Sequence, residues 1–232
     1  MRRKKLLAKW VGILSSLLGV FLLFYVLSPI VKYEISSDRF VSYLSPVPEG
    51  ESYSSEVVDL TKASNWFVGD EQEVEFSNSG IGYYTISIPK LGIEDATVAI
   101  GGEDLADSLI QYPGTALPGK RGSSVVFGHS ILPQFYDPRN YLAIFSTLPS
   151  MRRGDEIEVG YDGITYLYRV EDMFEVAPTD IQILEQNTSG SYLQLVTCTP
   201  PGHPLRPKRL IVRAKIVPFG EVVKKPNEIA WN

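Results

Sequence analysis

The chain has 232 residues, 22 Lys and Arg against 27 Asp and Glu, a formal net charge of −5, and one cysteine. Six of the bases and none of the acids lie in residues 1–32, which leaves 16 bases against 27 acids, a balance of −11, for residues 33–232. A body that acidic repels phosphate and argues against nucleic acid as a partner, and a lone cysteine excludes an internal disulfide.

The N-terminus reads first as a basic tail, residues 1–9, with Arg2, Arg3, Lys4, Lys5 and Lys9. Trp10 to Val31 then run 22 residues without a formal charge. As a helix at about 1.5 Å per residue they span roughly 33 Å, enough for a bilayer core of roughly 30 Å. The basic flank predicts a cytoplasmic N-terminus and an extracellular body at the cell membrane. A cleaved signal peptide is the alternative. Its apolar region is usually about 7–15 residues long and ends at small residues, whereas this one ends Leu27-Ser28-Pro29-Ile30-Val31. A retained single-pass anchor over 10–31 is therefore expected.

Residues 32–80 read as an acidic, serine-rich stalk. Residues 33–80 hold ten serines, ten acids and two bases, with Pro46, Pro48, Gly50 and Gly69 as punctuation. Such composition favours a solvated segment, although the apolar piece Asn65-Trp66-Phe67-Val68 is suited to docking on a domain.

From residue 81 the pattern is β. Tyr84, Ile86 and Ile88 alternate with Tyr83, Thr85 and Ser87. Ala96–Ile100 and Ser123–Phe127 are short apolar runs closed by glycines. Ile157, Val159 and Tyr161 alternate with acids, Asp162-Gly163 is a hairpin turn, and Ile164–Met173 continues as the partner strand. Tyr192–Thr197 and Leu210–Val217 complete the set, and Leu142, Phe145 and Leu148 suggest a helix over Asn140–Leu148. Short strands with turn signals predict an all-β domain over 81–218: a small closed barrel of seven to eight strands with short helices, a β-sandwich being the alternative. Residues 219–232 form a C-terminal tail.

Two histidines are present. His129 follows an apolar strand and Gly128, a place where a rigid scaffold holds a side chain. Cys198 ends the strand Leu195-Val196-Thr197-Cys198 before Thr199-Pro200-Pro201, and Arg209 opens the next strand, with ten residues, Thr199 to Lys208, between the two. Antiparallel pairing would make Cys198 and Arg209 neighbours on one rim. A guanidinium there favours thiolate and donates to a developing oxyanion, and a histidine on the same rim completes a nucleophile, a proton carrier and an anion stabiliser. Each residue also has a plain reading: free cysteine is commonly a small buried apolar residue, and an edge arginine is commonly solvated.

Four segments, in order, resemble the sortase family. Tyr84-Thr85-Ile86-Ser87-Ile88-Pro89-Lys90-Leu91-Gly92-Ile93 resembles its first-strand signature, and Gly128-His129 its histidine segment. Leu148 through Gly154-Asp155-Glu156-Ile157 resembles the stretch that follows. Leu195-Val196-Thr197-Cys198-Thr199-Pro200 with Arg209-Leu210-Ile211-Val212 resembles its cysteine and arginine segments. Gln194 stands where the family often has threonine, and residues 33–80 hold no Asp-Pro-aromatic lid motif.

The resemblance implies the sortase β-barrel and a cysteine transpeptidase, with His129, Cys198 and Arg209 catalytic and Thr197 a substrate contact. Its substrates would be surface proteins bearing a C-terminal sorting signal of the Leu-Pro-x-Thr-Gly kind, and the acceptor an amine of a cell-wall precursor or a pilin. No cofactor or metal is implied, and no loop has calcium-ligand spacing. A papain-like hydrolase fits poorly, because its cysteine precedes its histidine. An L,D-transpeptidase lacks support because its His-Gly-Cys cluster is absent. An anchored β-domain that binds a partner, with Cys198 as core, is the non-enzymatic alternative.

Overall fold

The computed structural model describes residues 2–36, 41–42, 59–66, 82–186 and 188–218. The rest of the predicted stalk and the tail 219–232 lie outside the described residues.

Helix α1 runs from Arg2 to Ser36. Its stretch Lys9–Tyr33, 25 residues, is long and apolar enough to cross a membrane, at about 1.5 Å per residue roughly 37 Å. Its apolar side chains have no protein cover: Leu14 is 71% exposed and Phe24 73%.

The strands are β1 (Val41–Ser42), β2 (Tyr83–Ile88), β3 (Ile93–Ile100), β4 (Leu109–Gln111), β5 (Gly122–Phe127), β6 (Glu156–Tyr161), β7 (Ile164–Val176), β8 (Ser191–Thr199) and β9 (Lys208–Ile216). Pairing runs β7-β6-β2-β3-β4-β5-β8-β9, and β9 pairs back to β7. That last pairing closes an eight-stranded barrel and rules out the sandwich alternative. It depends on the length of β7. Its first half pairs with β6 through Arg169, and its second half pairs with β9 out to Val176. Beyond β6 one edge of β7 would be bare, and there β1 pairs with it in parallel at Phe174 and Glu175.

Alternation along the strands makes two apolar layers. Ile86, Ile157, Val159, Leu193, Leu195, Leu210 and Val212 fill the barrel with Phe145 and Leu148. On the opposite faces Val125, Phe127, Val196, Cys198 and Ile211 form a second cluster with Trp66, Leu105 and Ile183. That second layer is why β8 is buried on both faces along its whole length.

The helix expected over Asn140–Leu148 is absent. Residues 141–147 are turns, followed by a 3₁₀ turn at Leu148–Ser150. The bonds close over three residues, as in Ala143 N to Asn140 O at 2.8 Å and Ser146 N to Ala143 O at 3.0 Å. The Phe145 amide instead donates across to the His129 carbonyl at 2.9 Å. A tertiary partner has taken a donor that an α-helix needs.

Candidate active site

Strands β5, β8 and β9 lie side by side and end on one rim. Cys198 and Arg209 are direct cross-strand partners in the antiparallel β8–β9 ladder. β5 runs parallel to β8 with Phe127 opposite Val196, and the Gly128 amide donates to the Val196 carbonyl at 3.1 Å. One residue further along, His129 comes level with Cys198. The three residues singled out in the sequence therefore meet on one rim.

Local packing fixes that rim. A Cβ at Gly128 would lie 2.5 Å from Phe145 Cδ2 and 2.6 Å from Leu109 Cδ2, so only glycine lets the strand end approach so closely. Thr197, the expected substrate contact, is fully buried, and its hydroxyl donates to the Gly128 carbonyl at 2.8 Å. It ties β8 to β5. The Ser130 hydroxyl donates to the Cys198 carbonyl at 2.7 Å and holds the same two strand ends from the other side.

The site is covered. Residues Ala63–Trp66 make a 3₁₀ turn, and the fully buried Trp66 lies over the rim. Its ring stacks on Phe127 at 5.2 Å between centroids and stands 5.9 Å from the His129 ring. The Arg209 guanidinium is 5.6 Å from the same ring. Arg209 Nε donates to the Trp66 carbonyl at 3.2 Å, and one terminal nitrogen donates to the Arg206 and Lys208 carbonyls. His203 lies in the β8–β9 loop, half-buried, with Nδ1 accepting from the Leu205 amide at 3.1 Å.

Burial dominates the electrostatics. It pushes the Cys198 thiol above its ordinary value against the pull of Arg209 and then Arg206. It lowers the His129 imidazole from 6.5 to about 4, with Arg206 adding to the shift and Asp104 and Asp59 opposing it. The thiol and the imidazole are therefore both neutral at neutral pH. His129 Nε2 is buried with no hydrogen-bond partner, so it is open to a proton from an incoming group. Among the described residues no three His, Cys, Asp or Glu side chains gather to hold a metal ion.

Sequence reasoning marked the Trp66 piece as suited to docking but did not place it over the site, and it missed Arg206. The available signal was an isolated tryptophan in a polar, acidic stretch.

A sortase-domain family model matches residues 86–217. No curated protein sequence matches the chain. Among solved structures, sortase C1 of Streptococcus agalactiae is 32% identical, with a TM-score of 0.50, over 61% of this chain and 70% of that one. Sortase C-1 of Actinomyces oris is 28% identical with a TM-score of 0.51, over 59% and 73%. The Clostridium perfringens sortase D5 transpeptidase is 27% identical with a TM-score of 0.50, over 59% and 79%.

Proposed function

Because the chain belongs to the sortase family, with the domain match spanning residues 86–217, we propose that it is a membrane-anchored transpeptidase. It cleaves a C-terminal sorting signal of the Leu-Pro-x-Thr-Gly kind and joins the surface protein to an amine of a cell-wall precursor or a pilin. Helix α1 is its anchor, and the barrel over 81–218 is its catalytic domain. The observation that carries the reading is the cross-strand pair Cys198–Arg209 with His129 at the adjoining strand end.

In the proposed reaction the Cys198 thiol gives its proton to His129 as its sulfur attacks the scissile carbonyl carbon. The C–N bond breaks, the amine leaves with a proton from His129, and a thioester remains on Cys198. The acceptor amine then attacks the thioester and yields its proton to His129. A new amide forms and the thiol is released. Arg209 donates to the carbonyl oxygen as it becomes an oxyanion. The Trp66 carbonyl already accepts from Arg209 Nε, which is the contact a substrate carbonyl would take over. Trp66 itself must leave before substrate enters, so residues 59–66 act as a cover.

The test is mass spectrometry of the full chain, with and without Trp66→Ala, mixed with sorting-signal peptides. The expected result is a thioacyl adduct on Cys198 that Cys198→Ala abolishes. Cleavage that survives Cys198→Ala overturns the mechanism. A second reading, Cys198 as a core thiol, draws on its 3% exposure. It requires that no peptide acylates the thiol even after Trp66→Ala.

A further inference from the structure

One buried acid, Glu175, takes no part in the proposed reaction. It is 3% exposed and lies one residue from the end of β7. Its partner on β9 is Leu210, whose side chain fills the barrel, so Glu175 stands at the barrel's mouth on that same face. A carboxylate taken out of water needs a counter-charge and hydrogen bonds. Three donors supply them. Lys208 Nζ donates to Oε2 at 3.0 Å, Thr199 Oγ1 donates to Oε1 at 3.1 Å, and the Tyr33 hydroxyl donates to Oε1.

Two of those donors form one rung. Thr199 and Lys208 are opposite each other in the β8–β9 ladder, directly beside the pair Cys198 and Arg209. Cys198 is thereby flanked by two pinned side chains, because the Thr197 hydroxyl donates to the Gly128 carbonyl and the Thr199 hydroxyl to Glu175. On the facing strand the Lys208 carbonyl accepts from Arg209 at 3.3 Å, so fixing Lys208 fixes one of the acceptors that aim the guanidinium. The third donor comes from α1. Tyr33 closes the apolar stretch Lys9–Tyr33, the level at which aromatic side chains meet lipid headgroups. Residues 9–27 are exposed, whereas Ser28, Pro29, Ile30 and Tyr33 are half-buried, and Pro29, Ile30 and Tyr33 share one helix face. The chain then returns to the same point, where Ser42 of β1 is level with Glu175.

We propose that Glu175 is a positioning residue that couples the anchor helix to the catalytic pair, with Tyr33 holding it from the membrane side. The inference rests on the transpeptidase reading and adds a residue to its machinery. The anchor then does more than tether the barrel: it sets the rung beside the thiol and holds that rim at the bilayer surface. Glu175 touches neither peptide nor sulfur, so its loss slows the chemistry without weakening peptide binding.

The test measures kcat and KM for cleavage of a Leu-Pro-Ala-Thr-Gly peptide by the full chain in lipid nanodiscs, with and without Trp66→Ala. Glu175→Gln keeps the shape and loses the ion pair with Lys208. It is expected to lower kcat at least about tenfold, as misplacement of a reacting group by about 1 Å does, with KM within about twofold of wild type. Tyr33→Phe is expected to lower kcat by about threefold to tenfold, and to add no further loss in a Glu175→Leu background, because the two changes remove the same contact. Thermal denaturation checks that each variant folds, and Tyr33→Phe, which removes one hydroxyl from a half-buried side chain, decides the question if Glu175→Leu does not fold. Wild-type kcat in Glu175→Gln, or a loss carried by KM, overturns the positioning role. Wild-type kcat in Tyr33→Phe, or losses that multiply in the double variant, overturns the coupling to the anchor. Both results leave the transpeptidase reading intact. Cleavage by neither the wild type nor Trp66→Ala overturns that reading, and this proposal with it.

Discussion

At the residue scale, burial opposes charge on both His129 and Cys198, and this has measurable consequences. The imidazole titrates at about 4 in the fold and at 6.5 when unfolded. Above pH 6.5 both states are neutral. As pH falls below 6.5 the unfolded chain takes up a proton that the folded one refuses until about pH 4, so stability drops across that window by about 3 kcal/mol. Denaturant titrations of the wild type should show this loss, and His129→Gln should lack it; the same pH dependence in both would refute the assignment. Trp66→Ala removes the cover and should speed alkylation of Cys198 at pH 7, as the thiol returns toward its ordinary range; an unchanged rate would mean that Trp66 is not what buries it. For Arg209→Lys the expected loss in peptide turnover is about 100–1,000-fold, roughly 2.7–4 kcal/mol, because lysine lacks the planar fork that points Nε at the Trp66 carbonyl. Thiol alkylation should change much less. Turnover near normal would leave Arg209 as a charge partner only.

At the element scale, the junction of β5 with β8 decides where His129 sits. Gly128→Ala drives a methyl into Phe145 and Leu109 and should cost about 1–3 kcal/mol. Turnover should fall by more than stability alone explains, since the histidine shifts with the strand end. A variant with wild-type stability and turnover would show that the close approach is dispensable. Strand β9 was legible in the sequence because Leu210, Val212, Ala214 and Ile216 alternate with Arg209, Ile211, Arg213 and Lys215, and β8 because its apolar run must end at Pro200, with only eight residues joining the two. β4 was not, because three residues buried on both faces carry no period. Nor was the 141–147 stretch, whose apolar spacing suits a helix while the Phe145 amide bonds to His129. The Trp66 piece was legible as a docking segment, but where it docks was not: its carbonyl partner, Arg209, is 143 residues away, and local pattern carries no such information.

At the scale of the whole molecule, an all-β domain behind one apolar helix could be read from composition and period, but closure could not. It needs β7 to outrun β6 and reach β9, with a register shift between Val170 and Asp172, a detail no alternation pattern records. The basic flank of α1 predicts that the barrel faces outward. Protease added to intact spheroplasts should degrade the barrel and leave the anchor; a protected barrel would reverse the orientation. The Trp66 cover has a further consequence for the molecule as a whole, which concerns its working lifetime. Peroxide attacks thiolate and carries it through sulfenic acid to forms that no longer react reversibly. This chain has one thiol and no second cysteine to rescue it by forming a disulfide. On the proposed mechanism, a sulfur held neutral and 3% exposed meets oxidant only when the cover opens, so the segment that admits substrate would also set how many turnovers the molecule survives to make.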